Sequence, residues 1–405
     1  MKKVVVKLMI PALLLSVTGT NLFSQNRTTN SSRNQMLLLP GARPCIEAGA
    51  YPSLQEAIDA LSEEGGVVRI PPGVFEIHEP LIINKPDVQI EGAGSATHIK
   101  NMNSEGKPAM LIQHPDKGEG RESELWRISL QDFRITGNEK SGHGIEFRRI
   151  NEVFMQGVTV SYHGGDGVLL YYCYEDPRIA NSLITYNKGT GVNLVGCHDI
   201  IVSANQFEEN QDALRCKDGY NLCMTGNNLD DHLGNGVVIE NTYGSVLSGN
   251  MIEECAGKAI ILDTDCYGTT ISANVIAHNS SGGVDLQDAH GCAVSANTFT
   301  IMGKDALAIG PESGRITVSG NNFSNSYIGE DETKRTAEDL SAGGLILEGT
   351  SDICVVGNLI SSVRPKALEL KGKPSERINF SGNVITDAPG DQNNLKNSIV
   401  EHNLN

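Results

Sequence analysis

Two small residues followed by an asparagine recur along most of this chain, and that repeat restricts the fold more than any other feature. The triplets are Ser203-Ala204-Asn205, Thr225-Gly226-Asn227, Ser248-Gly249-Asn250, Ser272-Ala273-Asn274, Ser295-Ala296-Asn297, Ser319-Gly320-Asn321, Val356-Gly357-Asn358 and Ser381-Gly382-Asn383, with Ala180-Asn181 as a shorter first copy. Counted from Asn181, the intervals are 24, 22, 23, 24, 23, 24, 37 and 25 residues. An apolar residue stands two places after each Asn, from Leu183 and Phe207 to Ile360 and Ile385. Beyond it lies an alternating segment such as Val192-Asn193-Leu194, Val237-Val238-Ile239 or Val284-Asp285-Leu286. Alternation with period two marks strands.

Repeats of roughly 20–50 residues build solenoids, propellers or arrays. No window holds an apolar 3.6-residue period long enough for paired helices, and a propeller blade would need about 40 residues for four strands. A unit of this length with short strands and Gly/Asn turns fits one coil of a parallel β-helix, each coil stacked on the next at ~4.8 Å. The recurring Asn residues then form an internal ladder at one turn. We expect about ten to twelve coils starting near residue 65. Ser53-Leu54-Gln55-Glu56 is a capping box, with Ala57, Ile58 and Leu61 on one helical face, so a helix over 54–63 should cover the open N-terminal end. The charged stretch Tyr327 to Ser341, inside the longest interval, must loop out of the stack.

The run from Tyr51 to Gly94, holding Gly65-Gly66-Val67-Val68-Arg69-Ile70-Pro71-Pro72-Gly73-Val74-Phe75 and Val88-Gln89-Ile90-Glu91-Gly92, resembles the opening segment of right-handed parallel β-helix proteins of the pectin-lyase-like superfamily. The Asn-anchored coils resemble its repeats. The resemblance implies an all-β, single-stranded right-handed parallel β-helix with a short N-terminal capping helix. It is specific for fold and not for activity, because the superfamily holds lyases, hydrolases, epimerases and non-catalytic adhesins. Gln211-Asp212-Ala213-Leu214-Arg215-Cys216-Lys217 is similar to the paired-Asp segment of polygalacturonases. Gln211 replaces one Asp, and that family's Gly-His-Gly and Arg-Ile-Lys motifs are missing, so no catalytic residue carries over.

Met1-Lys2-Lys3 and the apolar stretch Val4 to Val17 have the layout of a signal peptide, assigned to 1–25. A polar leader covers 26–44 and the β-helix domain 45–405. The chain is expected to be exported, to the periplasm or outside the cell. No other apolar run approaches the ~20 residues of a membrane span. With 49 acidic and 32 basic residues the net charge is −17, which disfavours nucleic acid, since binding it takes Lys and Arg against phosphates. An anionic polymer would need a local basic patch or a bridging cation. The nine cysteines contain no CxxC pair and match no zinc framework, so no metal site is assigned. Cys173 and Cys197 occupy equivalent places in successive coils, as a disulfide or as stacked thiols.

With the apolar residues turned inward, two outward columns remain. One runs Glu146, Leu169, Asn193, Arg215, Val238, Ile261, Asp285; the other runs Arg148, Tyr171, Val195, Lys217, Glu240, Asp263, Gln287. The central coils concentrate functional groups. Glu240, Asp263, Asp285 and Lys217 are the candidate catalytic residues, and Tyr171, Asn193, Arg215 and Gln287 the candidate substrate-binding residues. A pair of carboxyls on neighbouring coils suits glycoside hydrolysis. On the lyase reading, Glu240, Asp263 and Asp285 hold a Ca²⁺ ion while Lys217 or Arg215 acts as base. No other cofactor is expected. A salt-bridge ladder from Lys217 to Glu240 is the plain structural alternative. These readings describe a polysaccharide hydrolase, a Ca-assisted lyase and a non-catalytic glycan-binding β-helix, with hydrolysis leading because carboxylates outnumber bases. His163, His198, His232, His278 and His290 fall at turns or strand ends, and Asp230-Asp231-His232 reads as a local hydrogen-bonding cluster.

Overall fold

The small middle residue of each triplet sits at a left-handed bend. Gly226, Gly249, Gly320, Gly357 and Gly382 have φ of 64 to 67°, and Ala204, Ala273 and Ala296 have φ of 55°. Glycine enters this region without a steric penalty, whereas most other residues do not. The bend joins two strands in as few residues as the backbone allows, and it turns the next residue inward. That residue is the Asn.

In the computed structural model, which describes residues 39–118, 120–324, 343–388, 390–391 and 395–404, these asparagines form one continuous ladder. Asn205 donates its backbone N–H to Asn227 Oδ1, Asn227 to Asn250, Asn250 to Asn274 and Asn274 to Asn297, each at 3.0 Å. Each side-chain amide also donates to the next Asn Oδ1 and to a strand carbonyl. Asn250 Nδ2, for instance, reaches Asn274 Oδ1 at 3.0 Å and Met224 O at 3.1 Å. The ladder ends at Asn403, one coil beyond the last triplet. At its start the reading from sequence is one residue out of place. Asn181 occupies the left-handed bend (φ 49°), and Ser182 is the residue that turns in and donates to Asn205. Asn tolerates positive φ better than most residues, so it substitutes there for Gly or Ala.

A second inner ladder, at the next turn of each coil, had no signal in the sequence pattern. Asn187 donates its N–H to Asn210 Oδ1 at 3.1 Å, Asn210 to His232 Nδ1 at 3.2 Å, and Cys255 to Asn279 Oδ1 at 3.0 Å. His163 opens it by donating its N–H to Asn187. The ladder mixes Asn, His and Cys, which hides the period. His163 and His232 are thus inner residues, 0% and 1% exposed.

Each coil contributes strands to three parallel sheets of 18, 13 and 12 strands. The solenoid has about 14 turns, more than the ten to twelve expected. Before residue 133, strands such as Gly66–Arg69, Leu81–Ile83 and Val88–Glu91 stack without an Asn triplet to mark them. Ile, Val, Leu and Phe fill the interior, and Phe299 stacks on Phe323 at 4.7 Å between centroids. The N-terminal helix runs Leu54–Asp59, shorter than 54–63. Ser53 caps it by accepting the Glu56 N–H, Leu54, Ala57 and Ile58 are buried, and the chain leaves through a Ser62–Gly65 turn. Residues Arg43 to Asn405 form one unit.

All nine cysteines are free thiols. Burial pushes Cys216 and Cys255 up to about 12 and Cys266 up to about 11, so these thiols pack as small apolar groups. The signal segment 1–25, leader residues 26–38 and the insertion Tyr327 to Ser341 lie outside the described residues. Among the described residues no helix is long and apolar enough to cross a membrane.

Candidate functional site

The outer face of the 12-stranded sheet carries both columns. Lys217 pairs with Glu240 and Glu240 with Asp263 on successive strands, so the three stand side by side. Asp285 pairs with Ile261 in the other column, diagonal to Asp263. Their neighbours Leu214, Cys216, Val237, Ile239, Ile260, Leu262, Val284 and Leu286 are completely buried, which sets the register and turns the charges outward. Gln287 follows the end of its strand and donates its N–H to the Leu262 carbonyl at 2.9 Å.

The side chains differ in how far they are engaged. Arg215 donates to Asp212 at 3.0 Å and to Glu240 at 2.9 Å. Burial works against its charge, but the hydrogen bonds and charges of Asp212 and Glu240 outweigh that and raise its pKa. Asp212, from the polygalacturonase-like segment, also accepts the Asn235 N–H at 2.6 Å, so it braces the adjoining coil. Asn193 donates to Asp166 at 3.0 Å and Gln287 to Asp285 at 3.1 Å. Asp285 lies 3.9 Å from Lys258, which is anchored on Asp305 at 2.7 Å. Asp263 accepts the Thr264 N–H at 2.7 Å and meets no cation among the described residues. The Lys217 ammonium has no partner among them either, so the structure contains no Lys217–Glu240 salt bridge.

Ligand atoms of Asp265, Asp288 and His290 lie within 4.8 Å of one another, as do those of Asp230, Asp231 and Glu254. Glu240, Asp263 and Asp285 do not converge in this way among the described residues. Asp231 belongs to one cluster while its neighbour His232 turns into the inner ladder, so Asp230-Asp231-His232 is divided between the outside and the core. His198 packs edge-on against Tyr174 at 4.7 Å and lies tilted against Tyr220 at 4.5 Å. His278 pairs with Glu254 at 2.8 Å and His290 with Asp288 at 3.5 Å.

Tyr171 belongs to a separate concavity nearer the N-terminus. A cleft of 740 Å³ lies over the strands Ile145–Arg148 and Val168–Tyr171, walled by the loop after Met110–Gln113. At its floor Glu146 is 5% exposed and pairs with Arg148, whose guanidinium lies 5.5 Å from the Tyr171 ring centroid. Tyr172 packs edge-on against Tyr171 at 4.7 Å and is 6.3 Å from Tyr174. A second cavity of 580 Å³ shares Arg149 and Tyr174 with the first. Glu146 and Arg148 were visible in the two columns, but the wall that makes them concave comes from a loop outside any repeat.

The right handed beta helix region is the family whose model matches this chain, over residues 121–274 and 259–404. The chain belongs to the right-handed β-helix family. Among solved structures, this β-helix protein is similar to the A-module of the mannuronan C-5 epimerase AlgE6 of Azotobacter vinelandii, with 16% identity, a TM-score of 0.57, and coverage of 89% of this chain and 98% of that one. The AlgE4 A-module of the same organism gives 16% identity, a TM-score of 0.54 and coverage of 89% and 99%. Tailspike protein 3 of bacteriophage CBA120 gives 12% identity, a TM-score of 0.58, and coverage of 80% of this chain and 59% of the tailspike. At these identities the likeness is one of fold. No curated protein matches this β-helix protein by sequence.

Proposed function

We propose that this exported β-helix protein acts on a polysaccharide laid along the outer face of its 12-stranded sheet, and hydrolyses it with Glu240 and Asp263 as the carboxyl pair. The observation that carries this reading is their register on successive strands, which sets the backbones ~4.8 Å apart. Carboxyl groups about 5–5.5 Å apart serve retaining hydrolysis, one as nucleophile and the other as acid and then base. Arg215 orients Glu240, which suits a nucleophile that must meet the sugar carbon from one direction. Asp263, held by no cation among the described residues, is the acid that protonates the leaving oxygen and then activates water. Lys217 and Asp285 flank the pair and position sugar hydroxyls, with Tyr171, Asn193 and Gln287 along the same face. A polysaccharide is also the substrate class named for the mannuronan epimerase modules that share the fold.

A non-catalytic glycan-binding role is the second reading. It is favoured by the internal bonds of Asn193, Arg215 and Gln287, which hold these side chains on protein partners. Reducing-end release on a panel of polysaccharides, read alongside the ultraviolet absorbance of unsaturated uronates, separates the possibilities. New reducing ends without that absorbance mean hydrolysis; the absorbance means elimination; binding without either means the second reading. On a substrate the parent cleaves, Asp263→Asn and Glu240→Gln are each expected to lower turnover by about 10²–10⁴-fold. The thermal midpoint of Asp263→Asn should stay within the range of an ordinary surface change, because exposed charges contribute little stability. Full turnover in both variants would place the chemistry elsewhere.

A further inference from the structure

We infer that the double cleft beside Tyr171, Tyr172 and Tyr174 is a sugar-binding subsite, in which a ring packs on the tyrosines and an oxygen of the sugar accepts a hydrogen bond from Arg149. The sugar class rests on the polysaccharide reading above; the site does not depend on the chemistry at Glu240 and Asp263.

Arg149 lies in the wall common to both cavities. Its Nε is buried and has no hydrogen-bond partner among the described residues, while a terminal nitrogen lies 3.6 Å from Glu124. Glu124 in turn accepts from Asn151 at 3.0 Å, so its carboxylate is shared. The Arg149 side chain is 18% exposed and lines both cavities, and its one ion-pair contact is the 3.6 Å approach to Glu124, so its terminal N–H groups can donate to a ligand oxygen in the cleft. Glu146 pairs with Arg148, not with Arg149. The other side of the cleft is aromatic. Tyr171 is 38% exposed, and it stands with Tyr172 and Tyr174 around a space large enough for a sugar unit. Amphipathic rings of this kind combine an apolar face with a polar hydroxyl, which matches the surface of a pyranose. The acceptor oxygen is a hydroxyl in a neutral glycan and a carboxylate in a uronate, and the second forms the stronger, charge-assisted bond.

Glu146 and the strand of Glu240 are four strand pairings apart on the same sheet, along Glu146, Leu169, Asn193, Arg215 and Val238. At ~4.8 Å per coil that is about 19 Å, so only a chain of several sugar units reaches both places. The subsite would therefore anchor a polymer whose scissile bond lies further along the axis.

Trp126, the single tryptophan of the chain, lines the second cavity with Arg149 and Tyr174 and reports on this place alone. The full-length protein is titrated with a uronate oligosaccharide and separately with a neutral one, following tryptophan fluorescence. A saturable change with at least one of them is expected, and the stronger response tells whether the oxygen is a carboxylate or a hydroxyl. The dissociation constant should rise about tenfold in Arg149→Gln, the loss of one hydrogen bond to a charged group, and comparably in Tyr174→Ala. It should not change in Lys373→Gln, an exposed lysine on the C-terminal coils. If Arg149→Gln melts early, Tyr174→Ala decides. No saturable change with either sugar, or a change that survives both cleft variants, overturns the inference. Either result alongside turnover that Asp263→Asn abolishes would remove the subsite and leave the hydrolase reading standing.

Discussion

Replacing Asn250 with Leu is expected to destabilise the central coils by about 4 kcal/mol, since buried polar groups left without partners cost about 1–3 kcal/mol each. The loss can be traced atom by atom. The Asn227 N–H and the Met224 carbonyl each lose a partner, the Asn227 amide loses its acceptor at 2.9 Å, and Asn274 Oδ1 loses the Asn250 amide. Leu fills the space without restoring any of these bonds. Asn181→Gly is the matched control, because Asn181 stands at the left-handed bend and outside the ladder; its effect should stay within ~0.5 kcal/mol. A solenoid makes neighbour-only contacts, so the damage should be local. Amide hydrogen exchange would show lost protection in the coils of Asn227 and Asn274 before the terminal coils respond. A denaturation midpoint equal to the parent's would mean that the ladder contributes no net stability.

A comparable effect is expected from acid. Burial lowers both His163 and His232 from the ordinary 6.5 to about 4, with His143 adding to the shift at His163. In His232, Nδ1 accepts the Asn210 N–H, so the neutral ring is the form that fits the ladder. A group whose folded pKa lies below its unfolded value contributes full stability above the unfolded value and loses it as pH falls. The window therefore runs from pH 6.5 down to 4. Each histidine accounts for about 3 kcal/mol over that range, at 1.36 kcal/mol per pKa unit. His163→Asn/His232→Asn should flatten the slope of stability against pH between those limits. Asn is chosen because Asn187, Asn210 and Asn279 hold the same ladder, so the substitution extends an existing pattern. An unchanged slope in the double variant would assign the acid sensitivity to other groups.

Much of this protein can be read before any coordinate is known, and the reason is one-dimensional. Each coil meets only its neighbours, so a residue at one place in the repeat meets the same place in the next coil, at a separation that the sequence displays as a period. That is why the pairings Lys217 with Glu240 and Glu240 with Asp263 follow from counting alone. It is also why the inward positions from Leu214 to Leu286 are buried as the alternation requires. This correspondence is lost where the period is broken or disguised. Asn181 reads as a ladder residue because it is an asparagine, although its backbone occupies the bend and Ser182 takes the inner place. The second ladder stayed invisible because His232 and Cys255 replace Asn within it.

The parallel β-helix, the inner Asn ladder and the register of the outer columns can all be read from the repeat, because repetition makes each of them a local matter. Which outer side chains bond one another is set by packing across coils that no repeat records. Arg215 bonds Asp212 and Glu240, and that leaves the Lys217 ammonium without an ion-pair partner among the described residues. The cleft at Tyr171 was likewise undetermined, since its wall is the non-repeating loop after Gln113, and nothing in a period predicts where such a loop folds back. Repeats specify neighbours along the axis, while concavity and side-chain competition arise from segments that follow no repeat.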